Sequence, residues 1–365
     1  MPELLFTNTF FEEELILPSN AYYCFSDLSP IHFHLHYLSC LTAQKNEVAL
    51  VLDKPDNLYL ESLYKLGITP PPLAVLSDMR KKAEFTKLNS WGNSTLLTSW
   101  AKEKGLTYEM PDISLTKQVH SKEFSFQSGP PLPNGELIFS EKELSSWWKK
   151  IKGPKVLKTP HGSSGKGHFI SKREQEDFPM ALAFFTKSEK PLLAEPWVER
   201  DLDFSSQWKI EKDESITYLG STICKNSPRG VYRGTVIGPD IILFQKRLDL
   251  FEEHLFYSKK ALKKMASLGF FGHVGIDAML YKSEKNTITV QPIVEINARK
   301  TMGWAALTIY NKIQKEELLQ FTYTLKPDTE APSFLPCQVA GKEKKKTFQA
   351  KLLIEKLQRP NLVCL

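Results

Sequence analysis

The chain has 365 residues, 41% of them hydrophobic and 25% charged, a globular composition that argues against disorder and is long enough for two or three packed domains. No stretch approaches the ~18 consecutive apolar residues that a membrane span needs. The net charge of +6, from 48 basic and 42 acidic residues, is too mild over this length to imply nucleic acid. The five scattered cysteines form no CxxC pair, and the acidic Met1–Asn20 region reads against a secretory signal. Reduced thiols in the cytoplasm are the expectation.

Along the first hundred residues, short apolar strands alternate with helices. VALVLD (48–53) fits a strand buried on both faces. Asp56 can cap a helix over 57–66 that stops at Gly67, and LAVLS (73–77) follows the Pro70-Pro71-Pro72 break as a second strand. Asn93 or Ser94 can cap a helix that runs to Lys104 and closes at Gly105, and 106–110 reads as a further strand. This alternation predicts a doubly wound parallel sheet, and the absence of GxGxxG speaks against a dinucleotide site. Three alternating histidines, His32, His34 and His36, would share a face in a strand but scatter on a helix.

Further on, 127–135 is a loop by composition, 141–150 a helix with one of Trp147 and Trp148 buried, and 155–159 and 168–171 strands around HGSSGKG. The segments 204–210 and 215–223 predict an antiparallel pair about Lys212-Asp213-Glu214. Residues 250–268 form an amphipathic helix stopped by Gly269, and 274–281 and 287–296 are strands around a polar turn. The tail from Lys312 reads as helix and loop, and its Lys342–Lys346 run as a solvated turn.

Chemistry gathers in three places. The loop His161–Gly167 lies beside Lys158 and brings glycines, Ser163, Ser164 and Lys166 together, so backbone N–H groups and an ammonium can approach phosphate oxygens. It is not a Walker A motif, because the GxxxxGK[ST] spacing fails. A plain hairpin turn is the competing reading. In EPWVERDLD (195–203), acceptors beside Trp197 and Val198 could hold a planar base and a sugar diol; an edge strand leaving the sheet explains the same residues. In VGIDAML and IVEINAR, Glu295, Asn297 and Arg299 alternate onto one side of a strand. If the two strands form a hairpin, Asp277 and Glu295 are symmetric about Asn286 in the turn and sit opposite each other. Two carboxylates and an amide are hard donors that suit Mg²⁺; a pair neutralised by Arg299 as a structural salt bridge is the alternative.

VLK ending at Lys158, GSSGKG, EPWV with Asp203, GIDAML and VEINAR, in this order, resemble the ATP-grasp superfamily over roughly residues 115–305. The resemblance implies an α/β and α+β architecture: an N-terminal doubly wound αβ domain (1–115), a small lid subdomain (116–193), and a C-terminal subdomain (194–365) with a helical extension. It implies that Lys158 and Lys122 hold the α- and β-phosphates of ATP, with Lys117 competing for the first lysine role. Gly162, Ser163, Ser164, Gly165 and Lys166 would cover the β- and γ-phosphates. Glu195 and the backbone near Val198 would read adenine, and Asp203 the ribose, where Glu is more usual. Asp277, Glu295 and Asn297 would bind Mg²⁺, or Mn²⁺ in its place; EINAR replaces the common EINPR.

The implied activity is an ATP-dependent ligase acting through an acyl phosphate on a small-molecule carboxylate and an amine. Arg299 would face the transferring phosphoryl group, and Arg233 with Arg229 would fork the substrate carboxylate. Thr301–Trp304 would line the acceptor pocket. No nucleic acid or membrane partner is expected, and a homodimer is an open assembly. A phosphotransferase or a non-catalytic nucleotide-dependent binding protein is the alternative on the same fold.

Overall fold

The computed structural model describes residues 2–17, 24–25, 28–65, 67–79, 85–162, 167–173, 176–227, 230–244, 246–313, 318–324, 338–340, 347–349 and 351–356. The chain divides into two compact units, Met1–Ile113 with Arg233–Pro239 and Arg299–Cys364, and Ser114–Tyr232 with Asp240–Ala298.

The first unit opens with β1 (Glu3–Phe6), α1 (Phe11–Leu15), α2 (Pro30–Leu35), α3 (Leu38–Thr42) and β2 (Glu47–Val51), followed by α4 (Asn57–Lys65), β3 (Leu73–Val75), β4 (Leu88–Ser90) and α5 (Thr95–Lys104). The four strands make a parallel sheet in the order β3-β2-β1-β4. Alternation sends Leu4, Phe6, Val48 and Leu50 to one face, against Leu97, Trp100 and Ala101 of α5. Leu5, Ala49 and Val51 go to the other, against Leu38, Leu41, Tyr59 and Leu63. Apolar side chains on both faces are why VALVL shows no alternation. Asp56 accepts the Tyr59 N–H at 2.6 Å, Ser94 caps α5 by accepting from Leu97, and Gly105 ends it at φ 71°.

Two expectations fail here. Residues 106–110 contribute only a single bridge, Thr107 to Lys87, because Pro111 and the polar Thr107-Tyr108-Glu109 offer no continuous edge. The central strand β1 lies in the stretch read only as acidic. The glutamates of α1 are ties: Glu12 bonds Arg299, Glu13 pairs with His32 at 3.2 Å, and Glu14 accepts from Ser94, Thr95 and the Leu96 N–H. The three histidines fall on or beside helix α2 and scatter, with His34 and His36 buried.

The second unit contains α6 (Ile113–Val119, from Ser114 on), α7 (Lys122–Phe126), β5 (Glu136–Ile138), α8 (Glu141–Lys150), β6 (Lys155–Lys158), β7 (His168–Ser171), α9 (Phe178–Lys187) and β8 (Leu192–Pro196). Strands β5-β8-β6-β7 form an antiparallel sheet. Helices α8 and α9 cover one face, where Leu144, Trp147, Phe185, Leu157, Leu192 and Ala194 pack. Both tryptophans of α8 are buried, not one: Trp147 donates to the Asn134 carbonyl and Trp148 packs on Phe178 and the Lys155 ammonium.

Then come β9 (Arg200–Ile210), β10 (Ile216–Asn226), β11 (Tyr232–Ile237), α10 (Asp240–Leu243), α11 (Leu248–Ser267), β12 (Gly272–Lys282) and β13 (Ile288–Asn297). In the second unit these give an antiparallel sheet in the order β13-β12-β9-β10. Helix α11 lies behind it on Trp208, Val274, Ile276 and Ile296. His254 pins that helix: its Nδ1 donates to the Pro292 carbonyl at 2.6 Å, and its Nε2 accepts from Ser206, which accepts in turn from Trp208 Nε1.

The remaining elements belong to the first unit: α12 (Met302–Ile313), β14 (Leu319–Thr324), β15 (Gln338–Ala340), β16 (Thr347–Gln349) and β17 (Lys351–Lys356). The described part of the tail beyond 313 is therefore strand, with β14 paired to β11 and β17, and not the expected helical extension. Its FTYT and LLI segments have the alternating β-branched and aromatic character of strands. The Lys342–Lys346 run lies outside the described residues.

Candidate functional site

The register of β12 and β13 places Asp277 directly opposite Glu295, although the pairs nearer the turn, such as Met279 with Gln291, are symmetric about Lys285. An irregularity between Asp277 and Met279 shifts the register and brings the two carboxylates together. Continuing the row across β9 and β10 adds Ser205 and Thr222, all on the face away from α11. One row along, Asn297 shares this face and donates its amide N–H to Asp277 Oδ2 at 3.0 Å. Asp203, on the same face of β9, accepts from Asn226 at 2.8 Å and Arg200 at 3.3 Å. Arg200 stacks 4.5 Å over the Trp197 ring, so one side of the expected aromatic platform is taken by a guanidinium.

Helix α7 carries a lysine into this carboxylate face. Ser121 caps it by accepting the Phe124 N–H, the Lys122 N–H donates to the Pro160 carbonyl, and Ser125 Oγ accepts the Ile296 N–H. Anchored at both ends, α7 places the buried Lys122 ammonium 3.0 Å from Glu295 and 3.2 Å from the Gly162 carbonyl. Lys117 instead lies at the surface near Glu189, 3.9 Å away. Burial pushes the Glu295 carboxyl up, but the Lys122 charge and hydrogen bond, helped by His120 and His168, hold it below its ordinary value. Lys122, and not Arg299, is the cation beside the carboxylate; Arg299 is held by Glu12 in the first unit, with Nε at 2.6 Å.

The face of the β5-β8-β6-β7 sheet away from α8 and α9 carries the second group. Lys158 and Glu195 form a 2.5 Å ion pair, each about a tenth exposed. His168 lies directly opposite Lys158, and Ile170 and Glu195 both lie opposite Val156. This face is thus Lys158, Glu195 and His168 around an apolar floor of Val156, Ile170 and Leu193. Burial first, and then Lys158 and Lys122, push His168 down to about 4; burial, His120, Lys117 and Lys122 do the same to His161. Both imidazoles are neutral at neutral pH. These histidines, Arg200 and Asn226 were missed in the sequence, where the HG…GH frame of the loop pointed to the histidines alone.

Gly162 is the last described residue before the loop; Ser163, Ser164, Gly165 and Lys166 lie outside the described residues, as does Arg229. Val198 packs against Leu132, Met279 and Tyr281. Arg233 is exposed on β11, and Thr301 and Gly303 are buried at the start of α12. Among the described residues no group of three His, Cys, Asp or Glu side chains gathers as a metal cluster. The divalent-ion donors available are two carboxylates and an amide, a hard-oxygen set of the kind Mg²⁺ accepts when water and phosphate complete its shell.

No family model matches the chain. Its structure is similar to the N5-carboxyaminoimidazole synthetase of Staphylococcus aureus complexed with ADP, with TM-score 0.55 and 12% identity over 97% of this chain and 93% of that one. It is similar also to biotin carboxylase from Campylobacter jejuni in a β,γ-ATP complex, with TM-score 0.54 and 11% identity over 99% and 93%. The chain has the ATP-grasp fold. In sequence it is 32% identical over 148 residues to the butirosin acyl-carrier protein–L-glutamate ligase of Niallia circulans. That match covers 40% of this chain and 33% of the relative, so about a third of the relative's length is spanned.

Proposed function

We propose that the chain is an ATP- and Mg²⁺-dependent ligase joining a carboxylate to an amine of amino-acid or peptide type. The observation that carries this reading is the opposition of Asp277 and Glu295 beside the Lys122 ammonium, on a fold whose solved examples include ADP and ATP complexes. The ligase relative supports the same reaction class.

In this reading Val156, Ile170 and Leu193 give the adenine a floor, with Glu195 and the backbone near Val198 as its readers and Asp203 on the ribose. Lys122 and Lys158 meet the phosphates, and residues 162–167 cover them, Ser163, Ser164, Gly165 and Lys166 included. Asp277, Glu295 and Asn297 would hold Mg²⁺, whose contribution is to neutralise phosphate charge. Arg299 and Arg233 serve the acyl phosphate and the substrate carboxylate as planar forks. A carboxylate oxygen attacks the γ-phosphorus and ADP leaves; the amine attacks the acyl carbon, phosphate leaves and the amine loses a proton.

The domain reading that accompanies this is an N-terminal αβ domain to about residue 115, a lid to 193 and the remaining ATP-grasp portion. No helix of the described residues is long and apolar enough to cross a membrane. The enzyme would act in the cytoplasm on small molecules, without nucleic acid, with a homodimer as an assembly open to it. The test is release of ADP and phosphate across a panel of amino acids and small peptides. Release that requires both a carboxylate and an amine, and disappears in Asp277→Asn, is expected. Release independent of the amine, or unchanged in that variant, overturns the reading.

A further inference from the structure

The two imidazoles that frame the glycine loop have no part in the reading above, yet their placement is specific. His168 opposes Lys158 across the β6–β7 ladder, so its ring projects from the same face as the ammonium, a Cβ separation of about 5 Å being usual for such pairs. His161 follows the same end of β6, at the start of the connecting loop, and its backbone carbonyl accepts from Thr159 Oγ1. Its Nδ1 is buried without a hydrogen-bond partner among the described residues. Leaving a buried ring nitrogen unpaired is costly, and a ligand atom that satisfied it would recover that cost.

The charges facing these rings are Lys117 and Lys122 from α6 and α7, Lys158 from β6, Arg200 from β9 and Glu295 from β13, with His120 beside them. Further cations here would repel the lysines. A neutral imidazole adds an N–H donor without adding charge.

We propose that His161 and His168 are two further phosphate-contacting residues, each donating a ring N–H to the polyphosphate of the bound nucleotide. This rests on the nucleotide reading above. The pair grips the oxygens from the two ends of the hairpin loop while Lys122 and Lys158 supply the charge. The contact is assigned to phosphate because His168 lies directly opposite Lys158, one of the two lysines that meet the phosphates in that reading.

The experiment measures ADP binding by calorimetry and adenosine binding by competition, for the full chain and for His168→Leu, His161→Leu and His168→Gln. Leucine suits the apolar floor but removes the donor; glutamine restores an N–H. ADP affinity is expected to fall about tenfold or more in each leucine variant, adenosine affinity to stay within twofold, and His168→Gln to recover most of the loss. ADP affinity within twofold of the parent in either leucine variant, or adenosine falling in parallel with ADP, overturns the proposal. Should a leucine variant fail to fold, imidazole resonances of the parent chain decide. Shifts of both rings on adding ADP but not adenosine support the contact, and unmoved rings refute it. A parent chain that binds no ADP overturns the nucleotide reading itself, a different result from bound ADP that ignores the histidines.

Discussion

Replacing Lys122 with methionine keeps the length of the side chain and deletes its charge beside Glu295. The Lys122 side chain is 4% exposed and that of Glu295 23%, and their charged groups stand 3.0 Å apart. At an effective dielectric of ~20 the Coulomb attraction at that distance is about 5 kcal/mol, most of it offset by the cost of taking both groups from water. Because Glu295 keeps part of its contact with solvent, the loss falls below the full buried-pair figure, at about 2–3 kcal/mol. Urea unfolding at pH 7.5 should show that loss in Lys122→Met. In Lys122→Met with Glu295→Gln about half of it should return, since the amide no longer needs a counter-charge. Acid supplies a second check. Glu295 titrates below its ordinary value of 4.5 in the folded chain, so its contribution is complete above that pH and disappears as pH falls through the lower folded value. The methionine variant should therefore lose less stability than the parent on acidification from pH 5 to pH 3. Equal urea midpoints for Lys122→Met and the parent, or strictly additive single and double variants, would refute the coupling.

Ser94→Ala should cost about 1–2 kcal/mol, read as a lower urea midpoint at unchanged slope, since the hydroxyl caps α5 and also bonds Glu14. Gly92→Ala would bring a Cβ within 2.6 Å of the Phe11 ring, so a loss of about 1–3 kcal/mol is expected; adding Phe11→Leu should make the pair less than additive in the same unfolding assay. His36 is buried with both ring nitrogens unpartnered and titrates at about 3 against 6.5 in an unfolded chain. At pH 5 the unfolded chain takes up a proton that the native ring refuses, so stability falls as pH drops below 6.5, by about 2 kcal/mol at pH 5 from this residue alone. His36→Phe should remove that share of the difference between unfolding free energies at pH 7.5 and pH 5, and an unchanged difference would count against it.

Local chemistry explains what the sequence disclosed. The Asp56 and Ser94 caps and the Gly105 stop are decided within a few residues, whereas the opposition of Asp277 and Glu295 needs, beyond the turn, the register shift between Asp277 and Met279. The choice between Lys117 and Lys122 could not be read that way. It depends on Ser125 and Pro160 anchoring α7 beside a strand more than 170 residues downstream. The same holds for Asp203, whose partners Arg200 and Asn226 come from two strands. Strand β1 escaped notice because ELLF is too short to show a period, and the tail because its strands form on partners distant in sequence.

The cluster built on Leu5, Phe11 and Leu41 is closed by Ile237, Ala305, Ile309, Leu319 and Phe321, contributed by stretches that leave the ribosome long after the parallel sheet is made. Translation therefore delivers the whole of the second unit while that apolar surface waits for its cover. A fragment ending near residue 113 would carry the exposed patch permanently, and its poor solubility in expression trials would say nothing against the sheet itself.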